Sequence, residues 1–124
     1  MALDPILSAA QLRSLTDVVL FDCRPDEAKY CAGHVQGALH AQLERDLSGP
    51  AREPARGGRH PLPDVRDFAE RLGRWGVMPS SHVVAYDDQS GANAASRLWW
   101  LLRALGHERV QVVDGGLAAL QAAG

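Results

Sequence analysis

The stretch Val83–Gly91, VVAYDDQSG, runs four apolar or aromatic residues straight into two aspartates and a small, flexible tail. A short apolar run of this kind reads as a fully buried strand. If it belongs to an open parallel sheet, the residue at its exit lies where α/β proteins keep their sites. What flanks the stretch decides whether such a sheet exists. Upstream, Pro63 and Asp64 open a predicted helix in which Val65, Phe68, Leu72 and Trp75 recur at helical spacing, and Gly76 closes it. Downstream, ANAASRLWWLLRALG (92–106) is apolar on nearly all faces, so a helix covered on more than one side is expected, stopped by Gly106. RVQVVD (109–114) then gives a strand through Val110 to Val113, and GGLAALQAAG begins a last helix that Gly124 caps.

The N-terminal part repeats the alternation. Ser8 with Gln11 three positions later is a capping-box start for a brief helix carrying Leu12 and Leu15, preceded by a short apolar piece. DVVLFDCR (17–24) reads as a buried strand, Val18 to Phe21, ending at Asp22. A helical turn from Glu27 to Cys31 is broken by Gly33, and GALHA (37–41) offers a short strand. From Glu44 to Pro63 the text is rich in Pro, Gly and Arg without periodicity and is expected to be one long loop. Alternating strands and helices predict an α/β fold: an open parallel sheet of about five strands with helices on both faces. Asp22, Asp87 and Asp114 would then stand at carboxyl ends of strands, where capping of a neighbouring helix or turn is the alternative to a functional role.

Composition bounds the function. With 124 residues, 46% of them hydrophobic, the chain suits one domain with a real core. A net charge of −2, with arginines scattered among acids, presents no basic face for nucleic acid. No leading basic and apolar segment and no run of about eighteen apolar residues points to export or a membrane. The two cysteines, Cys23 and Cys31, fit neither a zinc pair nor a redox pair, so no metal or cofactor is expected and a reducing cytoplasm suits the chain.

Three segments together, LFDCRPDEAKYCAGHVQGALHA (20–41), GRHPLPDVRDFAERLGRWGV (58–77) and VVAYDDQSGANAASRLWWLLRALGHERVQVVDGG (83–116), resemble a rhodanese domain across essentially the whole chain. Gly33, His34, Gly37 and Ala38 match the family's Gly-His-x-x-Gly-Ala signature. Asp114–Gly116 and the double tryptophan Trp99 and Trp100 narrow the likeness to the N-terminal, non-catalytic half of two-domain thiosulfate and 3-mercaptopyruvate sulfurtransferases. The resemblance implies a single rhodanese-like domain over 1–124, partnered by a catalytic C-terminal rhodanese domain of the same protein that handles thiosulfate or 3-mercaptopyruvate. The ending at a helix cap resembles a boundary between such halves. Leu120 stands where the family commonly has tryptophan.

In the family's active domains a cysteine stands where Asp87 stands here, cradled by backbone N–H groups and a helix N-terminus that stabilise thiolate and persulfide. A carboxylate cannot form a persulfide, but it can supply the anion that the cradle binds. The resemblance therefore makes Asp87, Asp88, Gln89, Ser90, Gly91 and Ala92 a vestigial active-site loop, with Asp22, Arg24 and His34 as candidate supporting residues. An aspartyl nucleophile of the haloacid dehalogenase type would need a second acid where Gln89 stands, and a cysteine phosphatase would need an arginine where Asn93 and Ala94 stand. Cys23 is conceivable as a stand-in nucleophile only if exposed and of low pKa; the alternative is a small apolar filler, with Cys31 explained by a surface position or helix packing. His34 is expected to bond backbone or a carboxylate such as Asp22 or Asp26, with a proton carrier as the alternative, and Asp22 with Arg24 to be either an ion pair fixing the strand end or a carboxylate beside a solvated arginine. Trp99, Trp100 and the loop arginines Arg52, Arg56 and Arg59 would be either ordinary core and solvated loop or a face toward a partner domain. A free-standing, catalytically inactive binding or regulatory module is the alternative function.

Overall fold

The computed structural model describes residues 3–48, 62–88 and 94–123. Its elements follow in the order β1 (Ile6–Leu7), α1 (Ala9–Arg13), β2 (Val18–Asp22), α2 (Glu27–Ala32), β3 (Leu39–His40), α3 (Leu43–Asp46), α4 (Val65–Arg74), β4 (His82–Tyr86), α5 (Ala94–Ala104), β5 (Val110–Val113) and α6 (Gly116–Ala123). The five strands form one parallel sheet in the order β1-β5-β4-β2-β3. β4 and β5 are buried along their whole length, as continuous apolar strands covered on both faces should be.

Strand alternation divides the core in two. Phe21, Cys23, Val83, Ala85, Val110 and Val112 pack on one face with Phe68 and Leu72 of α4 and Leu98 and Leu102 of α5. Leu20, Val84, Tyr86 and Val113 pack on the other face with Leu12, Leu117 and Leu120 from the segments of α1 and α6. Side chains one residue apart in a strand thus reach different layers.

The helix starts are set by capping. Ser8 Oγ accepts the Gln11 N–H while Gln11 Oε1 accepts the Ser8 N–H, the reciprocal pair its spacing predicts. Asp26 caps α2 through Ala28, and Asp64 caps α4 through Arg66 and Asp67. Gly115, at φ +81°, makes the turn between β5 and α6, and a Cβ there would stand 2.8 Å from Ala119 Cβ.

One open reading is completed and three expectations need correction. The piece before Ser8 is an edge strand, because Pro5 O and Leu7 O accept the Val112 and Asp114 N–H groups. The expected loop begins with helix α3, where the Asp46 carboxylate accepts the Gln42 N–H and closes the turn; residues 49–61 lie outside the described ones. Val65 of the predicted α4 stripe is 66% exposed, while Phe68 and Leu72 are buried and Trp75 meets Phe21 edge-on at 4.9 Å. The α5 helix, expected to be covered on more than one side, is buried along one: Ala94, Ala95, Leu98, Leu101 and Leu102 are buried, but Trp100 is 49% exposed.

Candidate functional site

β4 delivers Asp87 to the carboxyl edge of the sheet, 1% exposed. Its side chain leaves on the same side as Val83 and Ala85, toward α5, by the strand's alternation. Asp87 Oδ2 accepts the Ala95 N–H at 3.0 Å, within the first turn of the 11-residue helix α5. The partial positive charge of a helix N-terminus favours a carboxylate there. The main chain is held as well, since Asp87 O accepts the Leu117 N–H at 2.9 Å in the first turn of α6. One residue therefore joins the exit of β4 to the starts of two helices. Asp88 beside it is exposed, and Gln89, Ser90, Gly91 and Ala92 lie outside the described residues.

Cys23 follows β2 at the same edge and on the same face as Asp87, fully buried. Its N–H donates to Tyr86 O at 2.8 Å, continuing the pairing of β2 with β4. Burial pushes its thiol well above the usual range, and the charges of Asp87, Asp22 and Asp46 push in the same direction. Neither condition for a stand-in nucleophile, exposure or a lowered pKa, is met. Cys31 is an exposed free thiol.

Asp22 and Arg24 turn to the opposite face, and this pair is buried rather than solvated: Asp22 is 0% and Arg24 6% exposed. Arg24 Nε and Nη2 donate to the Asp22 carboxylate at 2.8–3.1 Å, and the Arg24 N–H donates to Asp22 Oδ1 at 2.9 Å. Arg24 Nη2 also donates to Gly33 O at 2.6 Å, so the guanidinium fastens the end of α2 to the end of β2. Hydrogen bonding to Asp22 raises the guanidinium's already high pKa further. Tyr86 supplies a fourth donor to Asp22 and accepts the Val35 N–H at 3.1 Å; burial above all lifts its phenol, which stays protonated.

His34, the signature histidine, is exposed and bonds backbone, not a carboxylate: its Nδ1 lies 2.8 Å from Tyr30 O. Tyr30 is stacked between His34 and His40, with centroids 3.9 and 4.6 Å away and both ring planes within 8° of parallel. His40 Nε2 meets Arg24 O at 2.7 Å. Sequence reasoning found Asp22 and Arg24 but not Tyr86, Val35 or His40. Only Tyr86, sharing a strand exit with Asp87, carried a positional signal.

Trp99 packs against the core beneath Arg103, whose Cζ lies 5.5 Å from the ring centroid. Trp100 and Ile6 line a cleft of about 380 Å³ over the β1 edge. Arg52, Arg56 and Arg59 are outside the described residues. No helix among the described residues is long and apolar enough to cross a membrane.

The family model for the rhodanese-like domain matches residues 8–123. The chain belongs to the rhodanese-like family. It is 47% identical, over 130 aligned positions, to the Pseudomonas aeruginosa protein named "Probable 3-mercaptopyruvate sulfurtransferase", covering 96% of this chain and 45% of that one. The human 3-mercaptopyruvate sulfurtransferase is 49% identical over 87 positions, 68% of this chain and 27% of its own length. Among solved structures, the 3-mercaptopyruvate sulfurtransferase from Leishmania major superposes with a TM-score of 0.86 at 31% identity, over 96% of this chain and 34% of that one. A 3-mercaptopyruvate sulfotransferase of Escherichia coli gives 0.74 at 27% identity, over 96% and 49%. This rhodanese-like domain spans about half the length, or less, of the curated relatives it matches.

Proposed function

We propose that this rhodanese-like domain is the non-catalytic, N-terminal half of a sulfurtransferase acting on thiosulfate or 3-mercaptopyruvate, and that Asp87 occupies the seat of the persulfide-forming cysteine. The observation that carries the reading is the bond from the Ala95 N–H to Asp87 Oδ2. A helix N-terminus placed at the exit of a central strand is suited to an anionic sulfur. Here the chain's own carboxylate takes that position, and a carboxylate has no sulfur to carry. The buried, protonated Cys23 offers no substitute. The domain's task is then to buttress a catalytic second domain and to form one wall of the substrate cleft between them. The free thiols of Cys23 and Cys31 suit a reducing compartment such as the cytoplasm.

Intact mass measured after incubation with thiosulfate, and separately with 3-mercaptopyruvate, tests the reading on wild type and Cys23→Ser. No sulfur-bearing adduct is expected on either. A sulfur atom added to wild type and missing from Cys23→Ser would move the chemistry to the end of β2 and sink the proposal.

A further inference from the structure

On the face of the sheet away from Asp87 and Cys23, a cleft of about 660 Å³ opens between α1, α6, β2 and the turn after α2. Its size falls in the range of small-molecule sites, which pair an apolar lining with a few placed polar groups. Leu12, Leu20, Val35, Leu117 and Leu120 supply the apolar part. Arg24 lines the same cleft, although it is only 6% exposed.

The guanidinium is incompletely used. Its hydrogen bonds run from Nε and Nη2 to Asp22, Gly33 and Lys29, and none of them comes from Nη1. Asp22, for its part, is occupied by Arg24 and Tyr86. Among the described residues no carboxylate lines the cleft; its ionisable lining groups are Arg13, Arg24 and His34. Asp88, the other carboxylate whose charge reaches Arg24, is exposed and not part of the lining. A ligand is therefore offered an apolar lining and an arginine with an unused donor, and the carboxylate that holds that arginine, Asp22, is not among the described lining residues.

We propose that this cleft binds a small organic monocarboxylate, its apolar body against Leu20, Leu117 and Leu120 and its carboxylate accepting from Arg24 Nη1. A charged acceptor is matched to this place because a charge-assisted bond to a shielded guanidinium is worth more than a neutral one. The site is separate from Asp87 and does not depend on how that residue is read.

Octanoate and octan-1-ol, which share an apolar chain and differ in the head group, are the probes. Each is titrated into the isotope-labelled 124-residue chain and followed by the backbone amide resonances. Octanoate is expected to shift the amides of Leu20, Val35 and Leu117, and octan-1-ol to bind at the same place about tenfold more weakly. Leu120→Trp, which fills the cleft, should abolish the octanoate shifts while keeping a cooperative melt; if that variant does not fold, the comparison of the two probes on the unaltered chain decides alone. Equal binding of acid and alcohol, shifts that map to another part of the domain, or no shifts at all would each overturn the proposal.

Discussion

Tyr86 and Asp22 are register partners in neighbouring parallel strands, and the Tyr86 hydroxyl donates to Asp22 Oδ2 at 2.8 Å across that register. The same hydroxyl accepts the Val35 N–H, so one buried oxygen connects β4, the carboxylate of β2 and the turn after α2. Tyr86→Phe removes the hydroxyl and leaves Asp22 short of a donor and Val35 short of an acceptor. A loss of about 1–3 kcal/mol in unfolding free energy is expected from urea denaturation. A loss near zero would mean that water replaces the hydroxyl at no cost and that the three-way contact adds no stability.

Arg24 serves a neighbouring part of this network with a planar fork that lysine cannot imitate. Arg24→Lys keeps the charge but cannot hold Asp22 through Nε and Nη2 while also reaching Gly33 O. Stability should fall by about 2 kcal/mol or more, since both charges are buried. The amides of residues 33–35 should exchange faster with solvent than those of β5. Unchanged exchange there would show that the turn is held without the arginine.

Burial of Cys23 makes stability depend on alkaline pH. The folded thiol titrates well above 9.0, its ordinary value, so on raising the pH the unfolded chain loses this proton first. The contribution is complete below about pH 9 and declines above it by up to about 1.4 kcal/mol per pH unit. Tyr86, raised in the same sense from 10.0, adds to the decline only above about 10. Urea midpoints between pH 8 and 10 should therefore bend downward near 9 in wild type and stay flatter in Cys23→Ala. Parallel curves for the two proteins would contradict the assignment.

The turn into α6 permits a comparison of two glycines. Gly115 and Gly76 both have φ near +80°, but a Cβ at Gly76 meets nothing within 4 Å, whereas at Gly115 it meets Ala119 Cβ at 2.8 Å. Gly76→Ala should cost about 1–2 kcal/mol for the left-handed backbone alone. Gly115→Ala should cost more, and thermal melts of the pair separate the clash from the strain. Equal costs would mean that α6 shifts freely to make room.

Much of the fold was legible because its signals are local. The apolar runs at Val18–Phe21, Val83–Tyr86 and Val110–Val113, and the caps at Ser8 and Asp64, each declare themselves within a few residues. Strand β1 did not, since two residues become a strand only when Val112 and Asp114, far along the chain, donate to them. The same holds at the site. Asp87 could be placed from the strand that precedes it, but the burial of Asp22 and Arg24 depends on Tyr86, 64 residues away, and on a face assignment that an i, i+2 pair does not disclose. The exposure of Trp100 likewise follows from how little of the sheet edge a two-residue strand covers.

Asp87 gives the most direct test of the seat it is proposed to fill. Asp87→Ala leaves the buried Ala95 N–H without this acceptor and should cost about 1–3 kcal/mol, while Asp87→Asn, which keeps a carbonyl oxygen of the same reach, should cost less. Asp87→Cys puts a thiol at the start of α5, where the helix N-terminus favours the thiolate. With thiosulfate, that thiolate would attack the outer sulfur, the donor's S–S bond would break, and sulfite would leave with the bonding pair, so the variant gains one sulfur atom as a persulfide. Intact mass should report this gain in Asp87→Cys, including in a Cys23→Ser, Cys31→Ser background, and not in wild type. A well-folded Asp87→Cys that takes up no sulfur, beside an Asp87→Ala variant that sulfate stabilises by filling the emptied position, would leave the helix N-terminus as an anion seat and remove its claim to be a nucleophile's.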